Sequence, residues 1–182
     1  MAEPVVVLGV DPGSQVAGWG IVLREGSRIV AVDSGLLRCP KGVSFAERLE
    51  ALHDGLVTVI ATHAPHCLAI ESVFHAKHAR SALQLGHARG VFLLAAAQSG
   101  MPVHEYPPAT VKKAVTGNGA ADKEQVRFMV ERLLGIRVEG LADRSDALAV
   151  AICHAQAGRL LGATNPEPEA RLRPRGLRRT KG

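Results

Sequence analysis

Aromatic residues make up only 3% of this 182-residue chain, so its core must be assembled from Val, Leu, Ile and Ala rather than from large rings. Cysteine is scarce too. Cys39, Cys67 and Cys153 are an odd number without CxxC spacing, which argues against a disulfide framework or a thiolate metal knuckle and for reduced thiols. The histidines show no HExxH or similar ligand spacing, and no internal repeat is present. No segment approaches the roughly 20 uninterrupted apolar residues of a membrane span. The N-terminus has no basic region followed by a long hydrophobic stretch, so no leader is expected. These absences predict a cytoplasmic protein with no membrane association.

What the chain does have is 47% hydrophobic residues and 21% charged ones, a balance that builds a globular core rather than a disordered segment. Its net charge of +5 is unevenly spread. From Ala163 to Gly182, Arg171, Arg173, Arg175, Arg178, Arg179 and Lys181 stand against Glu167 and Glu169, and Pro166, Pro168 and Pro174 oppose helix formation there. The expected organisation is one domain over residues 1–162 followed by a flexible basic tail over 163–182. Such a tail serves equally as a phosphate-binding arm or as a solubilising end.

Hydrophobic patterning divides the domain into elements. Val5 to Val10, Ala17 to Leu23 and Arg28 to Leu37 read as three strands, the last two joined through "REGSR". Phe45 to His63 has apolar residues at helical spacing with Ser44 as its cap. "HCLAIES" (66–72) is a strand, Ala79 to Gln98 a helix stopped by Gly100 and Pro102, and "MPVHEY" a further strand. "PPATVKKAV" starts a helix with proline where the first turn tolerates it. In "DKEQVRFMVERLLG", Asp122 and Gln125 have capping-box spacing and Gly135 terminates the helix. A last helix runs from about Asp143 to Leu160. Three strands in a meander followed by β-α-β units predict a mixed sheet with helices on both faces.

Two of these strands end in a carboxylate. If the connecting helix makes them parallel, Asp11 and Glu71 emerge at the same edge of the sheet, where ligand sites of open α/β sheets collect. Alternatively each acid only begins a loop, with Asp11 supporting the turn at Pro12 and Gly13. Asp143 and Asp146 lie three apart, on one face of the last helix, where the helix dipole also favours acids. The apolar "ALAVAI" that follows places those acids near the core. Four converging carboxylates repel one another unless cations are present, and an all-oxygen donor set suits Mg²⁺ or Mn²⁺. Two such ions would serve phosphoryl displacement.

Cations follow the same logic. Lys77, Arg80, Arg89, Lys112, Lys113 and Lys123 lie between Glu71 and Asp143, and Lys112 and Lys113 lead into a glycine-rich loop at Gly117, Asn118 and Gly119. Cations flanking such a loop suit a nucleic-acid backbone or simply a solvated face. Phe74, outside any periodic run, is placed either to stack on an unpaired base or to fold back onto the core. His75 and His78 lie nearby, within reach of a phosphate. Gly86 and Gly90 allow close helix packing, within the chain or across a dimer.

Taken in order, "LGVDPGSQVAGWGIV", "IESVFHAKHARSALQLGHARG", "VKKAVTGNGAADKEQV" and "DRSDALAVAICH" resemble the bacterial Holliday-junction resolvases of the RuvC family, over nearly residues 5 to 155. The resemblance implies a ribonuclease-H-like α/β fold: a five-stranded mixed sheet flanked by helices, in a homodimer. It implies an endonuclease that makes paired symmetric nicks in four-way DNA junctions, leaving 5′-phosphate and 3′-hydroxyl ends. It further implies delivery of the junction by a branch-migration complex of RuvA- and RuvB-type proteins. By motif, Asp11, Glu71, Asp143 and Asp146 become the catalytic acids, holding two Mg²⁺ ions per site, with Mn²⁺ possible. Phe74 becomes the stacking aromatic, and Lys112 and Lys123 become DNA contacts, with Lys77 and Lys113 beside them. Trp19 stands where many relatives have Tyr. An RNA-processing nuclease of the YqgF type shares the first motif. An actin-like ATP-binding protein would need a second phosphate loop, which the chain lacks.

Overall fold

A computed structural model of the chain describes residues 3–72, 79–138 and 142–160. Five strands, β1 (Val5–Asp11), β2 (Val16–Glu25), β3 (Arg28–Arg38), β4 (Cys67–Glu71) and β5 (Val103–Tyr106), form one sheet in the order β3-β2-β1-β4-β5. β1, β2 and β3 pair antiparallel, whereas β1 with β4 and β4 with β5 pair parallel. This is the expected mixed sheet, with one difference at the first strand. β1 does not stop at Val10 but carries Asp11 within the ladder, opposite Gly18. The acid therefore has strand geometry rather than the freedom of a turn residue.

Among the described residues, five helices cover the sheet: α1 (Phe45–His63), α2 (Ala79–Gln98), α3 (Pro108–Thr116), α4 (Lys123–Leu134) and α5 (Ala142–Leu160). Side-chain alternation along the strands separates two cores. Leu8, Val10, Leu68 and Ile70 point to one face and pack with Leu52 and Leu56 of α1 and Phe92 of α2. Val7, Val22, Cys67 and Ala69 point to the other, against Val111, Val126, Val130 and the nearly continuous apolar face of α5. Among the described residues, Phe92 is the one ring in the set of largest fully buried side chains, so aliphatics fill most of the interior.

Local signals set the helix ends. Ser44 caps α1 in a capping box with Glu47: the Glu47 amide donates to the Ser44 hydroxyl at 3.3 Å, and the Ser44 amide donates to the Glu47 carboxylate at 2.7 Å. The expected Asp122–Gln125 box is present at the start of α4, with its two reciprocal bonds at 2.8 and 3.0 Å. Loss of such a cap costs about 1 kcal/mol. The segment joining α3 to α4 departs from the flexible loop expected of its glycines. Thr116 Oγ1 donates to the Lys112 carbonyl and accepts from the Asn118 amide, while Asn118 Oδ1 accepts from the Ala120 amide. Side-chain hydrogen bonds have made it a tied turn, which holds the two helices in a defined relation.

Gly86 and Gly90 face open space, so among the described residues they mediate no close packing within the chain. No helix is long and apolar enough to cross a membrane, among the described residues. The expected basic tail and its boundary at 162/163 lie outside the described residues.

Candidate metal centre and nucleic-acid interface

Register places the first two acids. Val10 pairs with Ile70 across the parallel β1–β4 ladder, so the next residues, Asp11 and Glu71, stand side by side at the carboxyl edge. By alternation both side chains turn toward α5. The third and fourth acids arrive on the first turns of that helix. One carboxylate oxygen from each of Asp11, Asp143 and Asp146 lies within 4.8 Å of the others. Glu71 stands outside this tight trio but shares a solvent cleft of about 150 Å³ with Asp11 and Asp146.

The helix can come this close because the sheet beneath it has glycine at the contact points, a feature the sequence reading missed. A Cβ on Gly18 would sit 1.9 Å from the Asp143 carbonyl oxygen, and one on Gly9 would sit 2.2 Å from that of Ala147. Ala147 and Ala151, small residues facing the strands, complete the fit. Between the two α5 acids, Arg144 extends the other way and donates to the Ser34 carbonyl on β3 at 2.8 Å. The only trace of this arrangement in the sequence is Gly9 within β1 and the glycines at alternate positions, Gly18 and Gly20, in β2.

The crowding has an electrostatic cost. Burial first, then the Glu71, Asp146 and Asp143 carboxylates, push the Asp11 acid from 3.8 up to about 8, against a smaller opposing effect of Lys123. Glu71 is raised by burial and then by Asp146, and Asp146 by burial, with Lys123 as the main counterweight. At neutral pH this donor set wants cations or protons. Hard oxygen donors converging from three elements fit divalent Mg²⁺-like ions, so the acids expected to bind metal are compatible with it.

Two lysines flank the acids. Asp122, by capping α4, makes Lys123 the first residue of that helix, and its Nζ donates to Asp146 Oδ2 at 3.3 Å. That partner raises the Lys123 pKa, with burial opposing. Lys112, on α3, lines the same cleft together with Pro108, Val111, Val126 and Ala149. Lys113 is exposed and does not line the cleft. Phe74 and Lys77, with His75 and His78, lie outside the described residues.

A second cluster lies at the far end of the same core. Cys67, His104 and His154 each offer one ligand atom, all within 4.8 Å of one another, and Tyr106 shares a 2.7 Å hydrogen bond with His154 Nδ1. Burial pushes the Cys67 thiol up to about 12 and the His154 imidazole down to about 4. All three cysteines are free thiols, as expected.

Comparison with known proteins identifies the family. A family model described as crossover junction endodeoxyribonuclease RuvC matches residues 7–154. A relative of that description from Citrifermentans bemidjiense is 48% identical over 151 residues, 83% of this chain and 92% of its own length. Another, from Sorangium cellulosum, is 45% identical over 175 residues, covering 94% and 98%. Among solved structures, Thermus thermophilus RuvC in complex with Holliday junction substrate superposes with a TM-score of 0.81 at 32% identity, covering 86% of this chain and 96% of that one. The yeast mitochondrial Holliday junction resolvase Ydc2 matches with a TM-score of 0.62 at 17% identity, a likeness in fold alone. The architecture shared with the Thermus structure is the expected ribonuclease-H-like fold.

Proposed function

The chain belongs to the crossover junction endodeoxyribonuclease RuvC family, and from that premise we propose that it resolves four-way DNA junctions through the acid cluster at the β1–β4 edge. The observation that carries the assignment of residues is the convergence of Asp11, Asp143 and Asp146 within 4.8 Å, at a cleft that Glu71, Lys112 and Lys123 also line. No structural need of the fold calls for so many carboxylates at one half-buried edge.

In this reading Asp11, Glu71, Asp143 and Asp146 hold two Mg²⁺ ions, with Mn²⁺ an acceptable substitute. Bound there, the ions supply charge neutralisation, water activation and stabilisation of the leaving 3′-oxygen. Asp11 has strand geometry, which holds its carboxylate within 4.8 Å of the two helix-borne acids. Lys123 neutralises Asp146 when the site holds no substrate and lies ready to meet a DNA phosphate; Lys112 offers a second cation lining the same cleft. Lys113, Lys77 and Phe74 extend the DNA-binding surface, the last by stacking on a base at the crossover.

A dimer supplies the second active site that paired nicks require. The exposed stripe of Leu83, Gly86, Gly90 and Leu94 on α2 supports it, since Leu83 and Leu94 are 65% and 50% exposed and the glycines between them leave room for a facing helix. Delivery of the junction by RuvA- and RuvB-type proteins rests on the family resemblance.

The test incubates the protein with a mobile four-way junction, a linear duplex and a structured RNA, with and without Mg²⁺. Paired, ligatable nicks in the junction alone, dependent on Mg²⁺, are expected. Preferential RNA cutting would replace this reading with an RNA-processing one.

A further inference from the structure

We propose that Cys67, His104 and His154 form a second metal site, chemically distinct from the acid cluster, that takes Zn²⁺ or a similarly soft divalent transition ion. The three residues come from three elements. Cys67 opens β4, His104 is in β5, and His154 is in α5. Their ligand atoms already lie within 4.8 Å of one another, so modest side-chain rotations reach the separations of a tetrahedral site.

The surroundings are those of a ligand set. Cys67 is 4% exposed and is packed in the aliphatic core. The His104 and His154 rings are 4.2 Å apart between centroids, nearly stacked. Tyr106 engages Nδ1 of His154 at 2.7 Å, which fixes that ring. An ion taking Nε2 would leave Tyr106 on the other nitrogen, the usual support for a metal-bound imidazole. The ring nitrogens of His104 have no hydrogen-bond partner among the described residues, although that side chain is only half-buried. Water would complete the fourth position.

Softness separates the two sites. Thiolate and imidazole favour Zn²⁺ and its neighbours, whereas the all-oxygen cluster favours Mg²⁺. On binding, the Cys67 thiol proton passes to solvent and the sulfur becomes the anionic ligand. Distance separates them as well. Cys67 and Glu71 are at opposite ends of β4, about 13 Å apart at strand rise, and His154 follows Asp146 along α5 by about 12 Å. An ion here would therefore tie α5 to β4 and β5 at the end remote from the acids.

The experiment uses the full chain, stripped with chelator and titrated with Co²⁺ in excess Mg²⁺, so that the acid cluster is already occupied. One equivalent of Co²⁺ should give thiolate-to-metal charge transfer and tetrahedral visible bands. Zn²⁺ should displace it and raise Tm. Cys67→Ser should abolish the charge-transfer band. His104→Gln, at a half-buried position that preserves the fold, should weaken Co²⁺ binding roughly tenfold or more. Asp146→Asn should leave both unchanged. The proposal is overturned by a wild-type protein without the band, by a band that survives Cys67→Ser, or by His104→Gln binding Co²⁺ as tightly as wild type.

Discussion

The carbonyl oxygen of Asp143 rests directly over Gly18, in the position a Cβ would take, 1.9 Å from where that carbon would stand. Backbone meets backbone here, so neither side can yield by rotating a side chain. Gly18→Ala should push the first turn of α5 off the sheet and carry Asp143 and Asp146 away from Asp11. Single-turnover junction cleavage should fall at least about tenfold, since small misplacements of catalytic groups are costly. Wild-type rates from a folded Gly18→Ala protein would refute the close approach.

Asp11→Asn should bind a four-way junction nearly as wild type does, yet fail to cut it. Removing one carboxylate from a repelling cluster should also stabilise the metal-free protein at neutral pH, by on the order of 2 kcal/mol. The readouts are mobility-shift affinity, cleavage in Mg²⁺ and melting in chelator. Cleavage at the wild-type rate would remove Asp11 from the site.

The same acid sets a pH dependence. Its folded pKa of about 8 lies above the unfolded value near 3.8, so between these limits the native state binds more protons. Metal-free stability conferred by the protonated acid is present below about pH 4 and declines through about pH 8. The Tm difference between Asp11→Asn and wild type in chelator should therefore widen as pH rises across this window, and narrow again when Mg²⁺ is added. A difference that stays constant with pH would contradict the assignment.

Lys123 is 72% exposed at its side chain, so its ion pair with Asp146 contributes little to stability. Lys123→Ala should shift the stability by no more than about 0.5 kcal/mol. It should weaken junction binding and lower the slope of log K against log salt by about 0.9 if one phosphate contact is lost. Binding isotherms at several salt concentrations measure this; an unchanged slope would mean that the lysine serves the acids alone.

Leu83→Glu or Leu94→Glu should convert a dimer into monomers in sedimentation experiments, because either puts a charge in the exposed stripe of α2. Both sites are solvent-facing in the isolated chain, so the fold should persist. A dimer that survives both changes would place the interface elsewhere.

Much of this was legible from local pattern. The apolar runs ending in Asp11 and Glu71 read as strands because a residue's neighbours alone set that periodicity. The Asp122–Gln125 box and the Ser44 cap read as helix starts for the same reason. The close approach of α5 was not legible, since the glycines at positions 9 and 18 matter only through what lies above them. Nor was the cluster of Cys67, His104 and His154, whose members are scattered through the chain without any ligand spacing. The tied turn at Thr116 and Asn118 looked like a loose loop because its stiffness comes from side-chain hydrogen bonds, not from composition.

By itself, then, the chain determined which segments become strands and helices, and that acids stand at two strand ends and one helix start, because these depend on periodicity and capping within a few residues. Tertiary structure alone decided that those acids meet, that Lys123 faces Asp146 while Lys113 does not line the cleft, and that a thiol and two imidazoles share one end of the core. Register across the parallel strands and the seating of α5 on bare glycine backbone produce those meetings, and neither is a property of any local stretch.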